Sequence, residues 1–321
     1  MAFLAADDGA VIAHLTRDGI VESLHHGVVS VVDHTGQVLL ERGNSHAVVY
    51  PRSTLKPLQA VALLSTGVQL TDLEVALTTA SHSGSKEHRG AVTDFLNRHG
   101  FHESDLQCPV DWPLGVTERA DLVASGSGQS RLAMNCSGKH AGFLATCAHL
   151  GFDTATYLDP HHPLQTLIAD TIEKWTGETI GFSSTDGCGA PLHALSVRGL
   201  ATSIAKLSAG NSPEASVLLK AVADNPWALD GIGRANTVTI ETIGGIAKIG
   251  AEGLVVIGTP EGVAVAVKIM DGSMRATTPV ALEALLTVGA ITPQQRDTIL
   301  TVVAQPVTGG DHVIGGLEVQ I

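Results

Sequence analysis

Ser53 and Lys56 are the first residues in the chain whose types and spacing suit catalysis. An apolar run ends at Pro51 just before them, so we expect a strand to stop and a helix to start here. Residues three apart share one face of a helix, which places the amine where it can take the serine proton. A capping serine followed by a surface lysine is the plain alternative, because Ser-x-x-Lys is common by chance.

A base role requires an uncharged lysine. Lowering a lysine pKa from about 10.4 to near 7.5 costs roughly 4 kcal/mol, which burial and a second nearby cation can supply. Lys248 is a candidate for that cation, since it is followed by Ile249 and Gly250 on a predicted strand where glycine allows close approach. Together, Ser-x-x-Lys and Lys-x-Gly resemble the plan of serine β-lactamases and penicillin-binding proteins. Alone, Lys248 would be interpreted as a solvated strand residue.

A dense group of small hydroxyls and an imidazole closes another predicted helix. It spans residues 79–84 and contains Ser81 and His82. Such a segment is often only a turn after a helix, but it can also present a second serine to a cleft. It therefore joins the candidate site.

Two of the four cysteines have neighbours that could help to bind a metal. Cys136 and His140 are four residues apart, and Cys188 lies in a second polar segment. These three form a feasible partial zinc site, although the spacing is weaker evidence than paired Cys-x-x-Cys motifs. Two buried, unreactive thiols are the plain alternative. Cys108 and Cys147 lack ligand-type neighbours, and we interpret them as structural.

Composition excludes several classes of function. The 321 residues carry a formal net charge of −13, so we expect no nucleic-acid partner and no anionic membrane surface as partner. No apolar run approaches the roughly 18–20 residues of a membrane span, and the start of the chain lacks a leader pattern. Few, scattered cysteines favour reduced thiols. We therefore expect a cytoplasmic protein, and its 44% apolar residues predict a large core.

The elements that must position these residues follow from hydrophobic periodicity. The sequence predicts strands at 27–33, 37–41, 47–50, 244–250, 253–259 and 262–270. It predicts helices at 53–65, 71–79, 86–99, 140–150, 163–176, 191–207, 278–289 and 292–303. Strands at both ends with helices between them indicate one sheet with an inserted helical lobe.

We therefore predict an α/β fold of the α+β type with a mainly antiparallel sheet. Residues 1–321 form a single two-lobed domain, with a sheet lobe at about 1–52 and 235–321 and a helical lobe at about 53–234. Ligand sites often form in the crevice between such lobes, which is where the candidate residues lie.

Taken together, the segments resemble the rhizobial type of L-asparaginase, the asparaginase II family, over nearly the whole chain. This family is unrelated to the asparaginases that use a threonine or an N-terminal nucleophile. The matching segments are Glu22-Ser23, Gly27, Arg52-Ser53-x-x-Lys56-Pro57, Ala80-Ser81-His82-Ser83, Asn135-Cys136-Ser137-Gly138-Lys139-His140, Thr185-Asp186-Gly187-Cys188, Lys248-x-Gly250-Ala251-Glu252-Gly253 and Val267-Lys268-Ile269-x-Asp271-Gly272. So many ordered matches are more specific than any one of them.

The resemblance implies a serine β-lactamase-like fold, a homodimer and hydrolysis of L-asparagine to L-aspartate and ammonia. It implies two serine–lysine pairs, Ser53 with Lys56 and Ser81 with Lys248. It also implies a zinc ion held by Cys136, Lys139 and Cys188, and no organic cofactor. A lysine ligand is unusual because its amine must lose a proton to bind a metal. The residues alone favour His140 in that place.

We hypothesise that Ser53 attacks the side-chain amide and that Lys56 takes its proton. Ser81 as nucleophile stays open. Charge matching suggests that Arg52 and His82 hold the substrate α-carboxylate and amide, and that Asp186 receives the α-ammonium or braces a metal ligand. Asn135 and His140 complete the expected substrate site. The alternatives are another serine–lysine acyl hydrolase (a glutaminase, esterase or β-lactamase-like enzyme) and a non-catalytic ligand-binding relative.

Overall fold

Both ends of the chain contribute strands to one antiparallel sheet. The strands are β1 (Ala10–Arg17), β2 (Ile20–Asp33), β3 (Val38–Arg42), β4 (Val48–Val49), β5 (Ser183–Thr185), β6 (Pro191–His193), β7 (Leu195–Ser196), β8 (Ile246–Gly250), β9 (Leu254–Gly258), β10 (Val263–Ile269), β11 (Val307–Gly309), β12 (His312–Gly315) and β13 (Leu317–Val319). In the computed structural model, which describes residues 3–321, the main sheet has seven strands. Their order is β13-β1-β2-β10-β9-β8, with β3 also paired to β2.

The register of the sheet carries Lys248 to its edge. β10 lies between β2 and β9, with Val265 opposite Val31 on one side and Ile257 on the other. β9 then pairs with β8, where Lys248 is opposite Val256. β8 is the last strand in this order, and it contacts the turn at residues 52–55. The predicted antiparallel sheet built from both termini is confirmed.

The middle of the chain is helical. The α-helices are α1 (Lys56–Leu64), α2 (Asp72–Thr79), α3 (Lys86–Arg98), α4 (Val116–Ala124), α5 (Ser137–Leu150), α6 (Pro163–Thr176), α7 (Val197–Ser208), α8 (Pro213–Asp224), α9 (Ala235–Ile243), α10 (Thr277–Thr287) and α11 (Pro293–Val303). Local signals account for several of the starts. Thr71 and Glu74 form a reciprocal capping box on α2, and the Ser85 side chain caps α3.

Four predicted elements differ from the structure. The strand predicted at 27–33 begins earlier, at Ile20. The helix predicted at 191–207 begins only at Val197, because the preceding residues form β6 and β7, and Ser196 pairs with Val48 of β4. The helix predicted at 140–150 begins earlier, at Ser137. The helix predicted at 53–65 opens with a 3-10 turn, Arg52–Leu55, before α1. The prediction also missed β1, β5, α4, α8, α9 and the strands after residue 306.

The core is aliphatic and lies on both faces of the sheet. Helix α7 packs against β2 and β10, and α10 packs against β9 and β10. Val28, Val31 and Val265 are fully buried between these layers. The lobe boundaries stay a prediction, and α7, inside the segment assigned to the helical lobe, packs on the sheet. Across residues 3–321, every helix is too short or too polar to cross a bilayer.

Candidate active site

Two glycines bring the candidate segments together. A Cβ atom at Gly250 of β8 would lie 3.0 Å from the carbonyl oxygen of Pro51, so glycine lets the sheet edge approach the 3-10 turn that carries Ser53. A Cβ atom at Gly138 of α5 would lie 2.5 Å from the carbonyl oxygen of Leu77 in α2. The loop after α2 is thereby held against the start of α5. The close approach that the Lys-x-Gly motif predicts is confirmed as a backbone contact.

Ser81 is the serine that both lysines reach. The Nζ atom of Lys248 lies 2.7 Å from Ser81 Oγ, and that of Lys56 lies 2.9 Å from the same oxygen. Both lysine side chains are buried. Lys56 also donates to the carbonyl of Ala80 and lies 3.1 Å from the Cys136 sulfur. Ser81 therefore sits between two amines supplied by separate parts of the chain.

The pair expected from spacing, Ser53 with Lys56, is arranged differently. Within residues 3–321 no hydrogen bond joins the two side chains, because Lys56 extends inward to the 80–81 loop. Ser53 belongs to the 3-10 turn Arg52–Leu55, whereas Lys56 is the first residue of α1. Ser53 is half-buried and lines the same cavity as Ser81. Its catalytic role stays a prediction.

Lys248 has the properties of a base. Burial, with help from the charge of nearby Lys56, lowers the pKa of the Lys248 amine from 10.5 to about 7. Asp230 and Cys136 act in the opposite direction, and Lys139 adds to the lowering. A lysine that is partly uncharged at neutral pH and 2.7 Å from a serine hydroxyl can take the serine proton.

A cavity of about 660 Å³ opens beside these groups. Ser53, Ser81 and Asn135, all predicted site residues, line it. Its wall also carries polar residues that the sequence analysis missed: Asp230, Arg234, Asn236 and Arg275. An acid and an arginine flanking two glycines directly before a helix, as in residues 230–234, were the signal that could have found the first two.

Arg52 and Asp186 lie away from this cavity and bind each other. Arg52 Nε donates to Asp186 Oδ1 at 2.7 Å, and the Arg52 side chain lines a separate groove of about 490 Å³. Arg52 has a backbone φ of +53°, in the left-handed region that non-glycine residues rarely adopt. That conformation directs neighbouring residues 52 and 53 to different cavities. Asp186 Oδ2 also lies 3.7 Å from Cys188 Sγ, so the alternative that Asp186 braces a metal ligand and the substrate-binding roles of both residues stay predictions.

His82 is buried beneath the site. Its Nε2 atom is 2.8 Å from Ser137 Oγ, and its ring stacks on His88 with centroids 5.0 Å apart. Burial and the neighbouring His88 hold the pKa of His82 well below its usual range, so the ring is neutral. This placement supports the loop around Ser81 and gives His82 no exposure to the cavity.

The three residues expected to bind zinc do converge. Lys139 Nζ lies 3.0 Å from Cys188 Sγ, and the Cys136 and Cys188 thiols are close enough to shift each other's pKa. The neighbouring Cys136 thiol and the Lys139 charge lower the pKa of the Cys188 thiol, while Cys188 and burial raise the pKa of the Cys136 thiol. Burial opposes the charge on Lys139, but the two sulfurs raise the pKa of its amine. These shifts favour the charged form of both Cys188 and Lys139.

The donor set fits a zinc ion. Two sulfurs and an amine meet in a buried pocket, and the His140 Nε2 atom beside them is buried without a hydrogen-bond partner. His140 Nδ1 is 2.9 Å from the hydroxyl of Tyr157, which orients the ring. In the described part of the chain, no three His, Cys, Asp or Glu side chains gather as a metal site, and the Lys139 amine is the third donor beside the two sulfurs.

Ser81 lies at the wall of a cavity and is hydrogen-bonded to Lys248, a lysine of lowered pKa. This is the arrangement of a serine–lysine hydrolase. Residues 13–319 match the family model for L-asparaginase II. The chain therefore belongs to the L-asparaginase II family, and the predicted family is confirmed. The comparison with curated proteins returned no match.

Two solved structures show a weaker likeness. One is EstCE1, a hydrolase with promiscuous acyltransferase activity, at 11% identity and a TM-score of 0.42, covering 91% of this chain and 94% of that chain. The other is a β-lactamase, Mb2281c, from Mycobacterium bovis, at 16% identity and a TM-score of 0.39, covering 86% of this chain and 94% of that chain.

Proposed function

We propose that the protein is an L-asparaginase, which hydrolyses the side-chain amide of L-asparagine to L-aspartate and ammonia. The observation that carries the proposal is the 2.7 Å contact between Ser81 Oγ and the Lys248 amine, whose pKa is about 7. Membership of the L-asparaginase II family supports the choice of substrate.

In the proposed acylation step, neutral Lys248 takes the proton of Ser81 Oγ, and the oxygen bonds to the amide carbon of asparagine. The C–N bond then breaks, and the Lys248 ammonium returns its proton to the departing ammonia. An aspartyl ester of Ser81 results. Lys56 keeps a hydrogen bond to Ser81 Oγ at 2.9 Å and, through its charge, holds the pKa of Lys248 low.

Deacylation uses the same base. Lys248 takes a proton from water, the resulting hydroxide bonds to the ester carbon, and the C–O bond to Ser81 breaks. The Lys248 proton returns to Ser81 Oγ, and L-aspartate leaves. The two steps consume one water and release one ammonia, so the enzyme is restored.

This assignment differs from the hypothesis that Ser53 attacks. The hydrogen bonds support Ser81, since it alone of the two serines contacts a lysine amine in the described residues. The test measures ammonia release from L-asparagine by Ser81→Ala and Ser53→Ala, with exposed Ser127→Ala as the matched control. We expect Ser81→Ala to lose activity by about 10⁴-fold or more.

A covalent label identifies the nucleophile directly. A diazoketone analogue of asparagine should label the attacking oxygen, and peptide mapping by mass spectrometry then locates the label. A label on Ser81 supports the proposal, whereas a label on Ser53 reverses the roles of the two serines. Activity that persists in both alanine variants contradicts serine catalysis altogether. L-Glutamine and a p-nitrophenyl ester in the same assay test the alternatives of a glutaminase and an esterase.

We also propose that Cys136, Lys139 and Cys188 hold a zinc ion. When bound, zinc would supply a fixed positive charge beside the site, since the Cys136 sulfur lies 3.1 Å from Lys56 Nζ. Elemental analysis of protein purified without added metal measures its stoichiometry. The homodimer and the cytoplasmic location that the sequence predicts stay predictions, and light scattering after size exclusion checks the first.

A further inference from the structure

The loop at residues 229–234 is tied to the catalytic loop by its backbone. Ser81 N donates to the carbonyl of Leu229 at 2.8 Å, and Ser83 N donates to that of Asp230 at 2.6 Å. A second link runs to the sheet edge, where the backbone N–H of Ile249 donates to Asn236 Oδ1 at 3.0 Å. The start of α9 is therefore held in fixed relation to both Ser81 and Lys248.

Arg234 projects from this loop with part of its guanidinium group free. Its Nε atom donates to Asp230 Oδ1 at 2.6 Å, while within residues 3–321 its two terminal nitrogens make no hydrogen bond. The side chain is partly exposed, and it lines the cavity that contains Ser81. Two free, parallel N–H groups of this kind match the two oxygens of a carboxylate.

Asp230 and Gly231 hold that guanidinium in place. Asp230 is buried, and its second oxygen accepts a hydrogen bond from the N–H of Asn236 at 3.1 Å. Gly231 has φ of +142°, and a Cβ atom there would lie 2.8 Å from Arg234 Cδ. Glycine at 231 therefore makes room for the arginine. Arg234 also stands at the N-terminus of the nine-residue helix α9, whose dipole favours a bound anion.

We propose that Arg234 binds the α-carboxylate of the substrate and that Asp230 positions it. This inference rests on the proposed function and deepens it, because it defines the substrate class as side-chain amides of amino acids with a free α-carboxylate. Arg52, the residue that the sequence suggested for this task, pairs with Asp186 in a separate groove. An amide whose carboxylate is blocked or absent should be a poor substrate.

The test compares L-asparagine with 3-aminopropanamide, the same molecule with hydrogen in place of the carboxylate. For the unmodified enzyme we expect kcat/KM to favour asparagine by roughly 10- to 100-fold, the value of a charged hydrogen-bonded contact. Arg234→Met should remove most of this preference by raising KM for asparagine. Arg234→Lys, which keeps the charge and loses the paired geometry, should retain part of it.

Arg275 provides the matched control. It lines the same cavity, but within residues 3–321 no carboxylate fixes its guanidinium, whose one hydrogen bond joins a terminal nitrogen to His25 Nε2 at 3.3 Å. We expect Arg275→Met to keep the preference for asparagine. The assignment is overturned if Arg234→Met leaves the preference intact, or if Arg275→Met alone removes it.

Binding separates this inference from the proposed reaction. Calorimetry with L-asparagine, whose one carboxylate is the α-carboxylate, and the Ser81→Ala protein measures carboxylate recognition without turnover, and adding Arg234→Met should weaken binding roughly 10- to 100-fold. If the enzyme releases no ammonia but binds asparagine through Arg234, the proposed function fails and the inference stands. If it releases ammonia and neither binding nor preference depends on Arg234, the inference fails and the function stands.

Discussion

Hydrolysis should slow steeply below neutral pH, because Lys248 must be uncharged to take the proton of Ser81. The falling part of the pH–rate profile on the acid side is called the acid limb. The pKa of Lys248, lowered by burial and by Lys56 from 10.5 to about 7, sets the pH at which this limb lies. Below that pKa the uncharged fraction falls about tenfold for each pH unit, to about one in a hundred at pH 5. An ordinary lysine would leave fewer than about one molecule in a thousand active at pH 7.

Lys56→Met is the informative perturbation. Both amines contact Ser81 Oγ, at 2.7 and 2.9 Å, so their nitrogens are no more than about 5.6 Å apart. Two like charges at that separation repel by about 0.7 kcal/mol in a water-like medium and about 3 kcal/mol at an effective dielectric constant of 20. Removing the Lys56 charge should therefore raise the pKa of Lys248 and move the acid limb up by about 0.5 to 2 pH units.

Asp230→Asn should move the limb the other way, since Asp230 raises the pKa of Lys248. The other two groups that affect the pKa of Lys248, Cys136 and Lys139, keep their side chains in both variants. The assay is ammonia release from L-asparagine between pH 5 and 9. The result is the midpoint pH of the acid limb, and the maximal rate is not used. Lys206→Met is the control, because this lysine bonds the carbonyl of Trp175 outside the cavity.

An acid limb that stays in place in Lys56→Met, or that moves to lower pH, would refute the assignment of Lys248 as base. A slower maximal rate alone would not refute the assignment, because Lys56 also forms a hydrogen bond with Ser81.

Three further predictions concern stability and metal binding. The lowered pKa of buried Lys248 penalises the folded state increasingly as pH falls from 10.5 to about 7, so Lys248→Met should raise the free energy of unfolding at pH 7 by several kcal/mol and by little above pH 11, as measured by urea denaturation. Gly138→Ala places a Cβ atom 2.5 Å from a backbone oxygen of α2 and should cost about 1–3 kcal/mol, whereas Gly90→Ala in α3 meets no atom within 4 Å and should stabilise by up to about 1 kcal/mol. Cys188→Ser should lower the zinc stoichiometry in elemental analysis, and Cys147→Ser should leave it unchanged; equal zinc in both would contradict the proposed ligands.

The sequence predicted most elements because their signals are local. Alternation and apolar runs marked β9 and β10, and the capping residues Thr71 and Ser85 marked two helix starts. The failure at 191–196 has a tertiary cause, since β7 pairs with β4, about 150 residues earlier in the chain. A short apolar segment is ambiguous until its partner strand is known.

The chemistry divides in the same way. The types of the reacting residues, their motifs and the glycines that permit close packing were all evident in the sequence, because each depends on a few adjacent positions. The sequence did not show which serine contacts which lysine. The Ser81 contacts join residues 25 and 167 positions apart, and only the packing of β8, α1 and the loop after α2 brings them together.

The lowered pKa of Lys248 and the place of Arg234 likewise depend on tertiary structure. A pKa responds to burial and to charges within a few ångströms, neither of which sequence spacing reports. Arg52 is next to Ser53 in the chain but faces another groove, while Arg234, far away in the chain, lines the cavity. The sequence by itself determined which groups are available for catalysis, and the tertiary structure decided which of them meet.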